Sequence, residues 1–102
     1  MVDGRYEVGF PSERVERAFA KFLQRASPKE RRQILEAIER LKENPRFLGK
    51  SFKFLKGPVP VLGYLAQYRL RVGAYRVFYD VDDARRRVIV LAIRRRDEHT
   101  YD

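Results

Sequence analysis

The sequence predicts an α+β domain. A short N-terminal strand comes first, then an antiparallel helix pair, then a three-stranded antiparallel sheet with the helices packed on one sheet face. Three observations predict it. Residues Gln67–Tyr79 alternate polar with β-branched or aromatic side chains on both sides of Gly73-Ala74, as two strands joined by a tight turn do. Residues 12–41 hold two apolar stripes at helical spacing, each opened by a serine suited to helix capping. Val88–Ile93 is an uninterrupted apolar run, the pattern of a central or doubly covered strand.

Taken in order, Arg5–Phe10 alternates between Gly4 and Pro11 and reads as the first strand. Ser12 caps a helix carrying Val15, Ala18, Phe19, Phe22, Leu23 and Ala26 at helical spacing. Ser27-Pro28-Lys29-Glu30 opens the second helix: Ser27 is the cap, Pro28 occupies the first helical position, and Glu30 completes a capping box. Its stripe is Ile34, Leu35, Ile38 and Leu41, and Asn44-Pro45 stops it. The link between the helices is short enough to force an antiparallel hairpin. Residues 45–63 contain Pro45, Gly49, Gly57, Pro58, Pro60 and Gly63 and read as a loop-rich connector. Tyr64–Val72 and Ala74–Val81 form the central hairpin, and Asp82–Arg86 is a polar turn into the last strand. No internal repeat, low-complexity segment or linker interrupts residues 1–102, so the chain reads as a single domain.

Composition narrows the chemistry. The 102 residues include no cysteine and one histidine, so a disulfide framework, a cysteine nucleophile and a multi-histidine metal site are all excluded. No apolar run reaches membrane-spanning length and no leader pattern precedes the first strand, which makes a cytoplasmic location the expectation. Lys and Arg number 23 against 14 Asp and Glu, a formal charge of +9. Between Arg46 and Tyr79 stand seven basic residues and no acidic one. Such a surface is either simply solvated or matched to a nucleic acid or an acidic protein. A membrane surface fits less well, because these residues fall on strands and loops rather than on an amphipathic helix.

The hairpin concentrates that charge. A type II′ turn at Gly73-Ala74 sets Val72 opposite Tyr75 and Arg71 opposite Arg76. Arg69, Arg71 and Arg76 then share one solvent-facing side of the sheet, while Tyr68, Leu70, Val77 and Tyr79 face the helices. Like charges directly across a ladder are destabilising, so a polyanion or an acidic residue such as Asp80, Asp97 or Glu98 must compensate them. In the connector, Lys50, Lys53 and Lys56 recur every three residues with Phe52, Phe54 and Leu55 between them. Either the lysines bind phosphates while the aromatics contact bases, or the apolar residues pin the loop and the lysines face water.

Tyr68–Tyr79 resembles the signature of the RelE/ParE superfamily of toxins from bacterial and archaeal toxin–antitoxin pairs. Leu55-Lys56-Gly57, the stretch Arg95–Tyr101 and the order of elements carry the same resemblance, which spans essentially the whole chain. For the RelE branch it implies a RelE-like fold and metal-independent cleavage of messenger RNA on the ribosome, with no cofactor. The 2′-hydroxyl attacks the adjacent phosphate, leaving a 2′,3′-cyclic phosphate and a free 5′-hydroxyl. The resemblance assigns Arg71, Arg76, Arg95, His99 and Tyr101 to catalysis. Arg69 joins Lys50, Lys53 and Lys56 in RNA binding. It also implies an acidic antitoxin partner.

Two departures bear on the chemistry. The family prototype carries lysines where this chain has Arg69 and Arg71, and a guanidinium does not give up its proton. Arg71 is therefore a charge clamp rather than a base. His99 is the one side chain whose ordinary pKa lies near neutrality, and it is the candidate acid–base group unless it is merely solvated. The alternatives are a ParE-like toxin that inhibits DNA gyrase by binding, and a catalytically inactive relative that binds RNA or antitoxin.

Overall fold

In a computed structural model, residues 5–46 and 51–95 are described. Serines start both helices as their positions predict. Ser12 accepts a hydrogen bond from the Val15 amide (3.2 Å) and opens α1 (Glu13–Gln24). Ser27 opens α2 (Pro28–Arg40) with a reciprocal box, accepting from the Glu30 amide (3.2 Å) while Glu30 accepts from the Ser27 amide (2.9 Å). Each such cap contributes about 1 kcal/mol by satisfying an otherwise orphaned amide. The helices bury Val15, Phe19, Ile34, Ala37 and Ile38, and Leu41 just past α2 is buried with them. Leu35, expected in the stripe, is instead half exposed.

The sheet has five strands rather than the expected three. They are β1 (Glu7–Gly9), β2 (Phe52–Val61), β3 (Tyr64–Val72), β4 (Tyr75–Asp82) and β5 (Arg87–Arg95), in the spatial order β1-β5-β4-β3-β2. The N-terminal strand pairs parallel to β5 (Glu7 with Arg87), and all other pairs are antiparallel. The fifth strand is β2, which corrects the reading of residues 45–63 as a connector. Its prolines are tolerated because β2 is an edge strand, where a missing amide breaks no central ladder. Pro58 also falls in a wide bulge: between the pairs Phe54–Tyr68 and Val59–Ala66, the segment Leu55–Pro58 lies opposite Gln67 alone.

Two-residue turns close two of the three hairpins. Gly73 has φ +58° while Ala74 stays in ordinary backbone, as the type II′ turn requires, and Val72 meets Tyr75 as expected. Leu62-Gly63 turns β2 into β3 with both residues at positive φ (48° and 88°), a type I′ geometry that a leucine adopts only under strain.

The core lies between the helices and one sheet face. Tyr68, Leu70, Val77 and Tyr79 point there, joined by Val88, Val90 and Ile93. Burying a large apolar side chain contributes about 1.5–3 kcal/mol. A second buried cluster lies on the other face, where Leu55, Val59 and Val61 of β2 and Ala66 of β3 pack with Phe78 of β4 and Leu91 of β5. The outer part of the β2–β3 hairpin therefore bends across the sheet face that the helices leave open.

Candidate functional site

Register decides which cations meet. Directly opposed residues of antiparallel strands share a face, so the pairs Lys53–Arg69, Arg69–Phe78 and Phe78–Ala92 form one row away from the helices. The pairs Arg71–Arg76 and Arg76–Arg94 form the next row on the same face. Four arginines and a lysine thus occupy two adjacent rows, about 5 Å between opposed Cα atoms. Arg94 lies diagonally over Phe78, its guanidinium carbon 5.3 Å from the ring centroid, which holds the side chain by a cation–π contact.

Arg69 and Arg76 are not solvent-facing as expected. Their relative exposures are 5% and 8%. The bent hairpin and its apolar cluster account for this, because they wall one side of the cationic face. Arg71 stays exposed and Arg94 is half exposed, so the row runs from a buried centre to open surface. The Asp80 carboxylate accepts from the Val81 amide (2.9 Å), an engagement with its own strand rather than with the arginines. Among the described residues, no ion pair involves Lys53, Arg71 or Arg94.

Arg95 stands apart. It pairs with Tyr75 on the helix-bearing face, and its guanidinium carbon is 5.5 Å from the Tyr75 ring centroid. The Tyr75 hydroxyl in turn donates to Glu30 (3.1 Å). The Glu30 carboxyl is held below the usual carboxylate range, first by the Ser27 amide and then by Tyr75. The structure does not bring Arg95 together with Arg71 and Arg76; it brings Arg94, which sequence reasoning missed. Lys53 and Lys56 are exposed on β2, Lys53 in the first row and Lys56 in the bulge. Lys50, His99 and Tyr101 lie outside the described residues.

A polar clamp holds Pro45 and Arg46, just past the end of α2. Arg46 donates to Asp83 through both terminal nitrogens (3.1 and 2.8 Å) and to the Tyr68 hydroxyl through Nε (3.0 Å). Tyr6 donates to the same carboxylate (2.6 Å), and the buried Tyr79 hydroxyl donates to the Pro45 carbonyl (2.6 Å). Arg46 and then Tyr6 pull the Asp83 pKa down to about 2. Burial pushes the Tyr79 phenol up. A groove of about 500 Å³ on the helix side is lined by Val8, Phe10, Leu35 and Ile38, with Arg32 and Lys42 among its polar residues, and it shares no residue with the cationic rows. Among the described residues no His/Cys/Asp/Glu cluster could hold a metal. None of their helices is long and apolar enough to cross a membrane.

What these rows can do is bind a polyanion. Guanidinium forks match phosphate oxygens, and buried cations keep their field from being screened. Comparison with known proteins agrees with the fold. A family model described as the ParE toxin of the type II toxin-antitoxin system parDE matches residues 13–100. Among solved structures, the chain is similar to a chain of the archaeal RelE–RelB complex from Pyrococcus horikoshii OT3. The identity is 26%, covering 92% of this chain and 98% of that one, with a TM-score of 0.70. The toxin–antitoxin complex RelBE2 from Mycobacterium tuberculosis matches at 22% identity over 90% and 99% of the two chains, TM-score 0.61. A free-state double mutant of the E. coli toxin RelE matches at 20% identity over 93% and 87%, TM-score 0.58. No curated protein matches the chain.

Proposed function

The chain belongs to the ParE toxin family of type II toxin–antitoxin systems, within the RelE/ParE superfamily, and from that premise we propose that it is a ribosome-dependent endoribonuclease acting on messenger RNA in the cytoplasm. The observation that supports this reading is the double cationic row Lys53–Arg69 and Arg71–Arg76–Arg94 on one sheet face. Attack of the 2′-hydroxyl forms an O2′–P bond and breaks the P–O5′ bond through a phosphorane with added negative charge. Preorganised guanidinium groups stabilise that charge without reorganising. In this reading Arg71 and Arg76 clamp the scissile phosphate, and Lys53 and Arg69 hold a neighbouring one. His99 takes the proton from the 2′-hydroxyl or returns one to the leaving oxygen, since no arginine can. Tyr101 orients the nucleotide, and an acidic antitoxin covers the cations.

The test is cleavage of messenger RNA on ribosomes programmed with a defined A-site codon, mapped by primer extension. Wild-type protein is compared with Arg71→Ala, Arg76→Ala and His99→Ala, each checked for folding by circular dichroism. A cut in the A-site codon that folded Arg71→Ala and Arg76→Ala both lose is the expected result. Cleavage retained in both would refute the site. The family match to ParE favours a second reading, inhibition of DNA gyrase by binding. Absent cleavage together with loss of gyrase supercoiling at stoichiometric toxin would establish that one instead.

A further inference from the structure

The bend of the β2–β3 hairpin leaves a depression of about 370 Å³ beside the cationic rows, lined by Gly57, Pro58, Val59, Pro60 and Arg94. Its walls are apolar except for one guanidinium. We infer that this depression receives the base of the nucleotide whose phosphate lies on the Arg71–Arg76–Arg94 row. The inference rests on the proposed RNA substrate and deepens it.

Three observations carry it. Arg94 belongs to both features: it stands opposite Arg76 in the row and forms the polar wall of the depression. A ligand filling both must carry an anion and an apolar plane within one short unit, and a nucleotide is such a unit. The lining offers flat proline faces and a guanidinium plane, surfaces on which unpaired bases stack. Prolines have fixed φ and lose little freedom when a ligand arrives, so this wall is formed in advance. Finally, an added Cβ at Gly57 would meet no atom within 4 Å. The space beside this lining residue is open, so a larger side chain fits there without displacing the protein. Because the lining presents no side-chain amide or carboxylate, the subsite senses that a base is present rather than which base it is.

The full-length ¹⁵N-labelled protein is titrated with a 2′-O-methyl uridine trinucleotide, which cannot be cut, and with an abasic trinucleotide of the same backbone. Both should shift the Arg71 and Arg76 amides, and the base-bearing trimer alone should shift Gly57 and Val59. Gly57→Leu should weaken the base-bearing trimer about tenfold, to the level of the abasic one, and leave the abasic affinity unchanged. Gly57→Ala should fall between. Equal Gly57 and Val59 shifts with both trimers, or wild-type affinity in Gly57→Leu, would overturn the base subsite and leave phosphate binding intact. Shifts at Gly57 and Val59 produced only by an antitoxin would overturn it in favour of a protein-docking surface. If neither trimer moves the arginine amides, the RNA reading itself fails and the subsite with it.

Discussion

Replacing Arg71 with glutamine should make the free protein more stable. Arg71 stands opposite Arg76, which stands opposite Arg94, so the row contains two like-charge cross-strand pairs. Each such pair costs roughly 0.2–1 kcal/mol, and solvent screening at exposed Arg71 favours the lower half of that range. Removing one pair should therefore raise the unfolding free energy by about 0.2–0.5 kcal/mol, or Tm by about 1–4 °C in a domain of this size. Scanning calorimetry at low ionic strength reads the difference. It should vanish in 1 M NaCl, where the screening length is about 3 Å. Inorganic phosphate at equal ionic strength should reverse the order by filling the row in the wild type. Occupancy at ten times Kd adds about 1.4 kcal/mol. An Arg71→Gln protein that melts below wild type at both low and high salt would refute the reasoning, because Arg71 would then be a structural tie and not a ligand-facing charge.

Other consequences are simpler to check. Tyr79→Phe strands the Pro45 carbonyl and should lower stability by about 1–3 kcal/mol in urea titration; an unchanged midpoint would show that the bond holds nothing. Asp83 titrates lower in the folded chain than in the unfolded one, so its pairing stabilises above the ordinary carboxylate pKa and is lost as pH falls toward 2. The stability gap between wild type and Asp83→Asn should therefore be full at pH 7 and close between about pH 4 and pH 2, followed by circular dichroism; a gap that does not change with pH would contradict the assignment. Leu62→Gly relieves a leucine at φ +48° and should raise stability by about 0.5–1 kcal/mol. A lower Tm would mean that the Leu62 side chain contributes packing that outweighs the strain.

The elements legible in the sequence are those with a local chemical signal. Ser12, Ser27 and Glu30 cap where their spacing indicates, and Gly73 sets the register of the central hairpin. What was not legible depends on distant pairing. The prolines of β2 argue against a strand until its edge position is known. Burial of Arg69 and Arg76 follows from a bulge whose four residues carry no alternation to announce it. Arg94 and Arg95 could not be told apart because Val88–Ile93 is apolar throughout. An unbroken apolar run hides its parity, and the register slip between Phe78 and Tyr79, which leaves Leu91 as the extra residue, reverses it.

The parallel pairing of β1 with β5 sets the order of assembly during synthesis. Glu7 finds its partner at Arg87, eighty residues later, and β5 lies between β1 and β4 in the finished sheet. The first strand leaves the ribosome without a neighbour and waits through both helices and three further strands. Loop closure over that span comes late because its entropy must be met before the contact forms. Arg94 reaches the cationic face on the same strand that seats β1. A nascent chain stopped before β5 therefore has neither a complete sheet nor the third arginine of the row, and the binding face comes into being at the step that completes the fold.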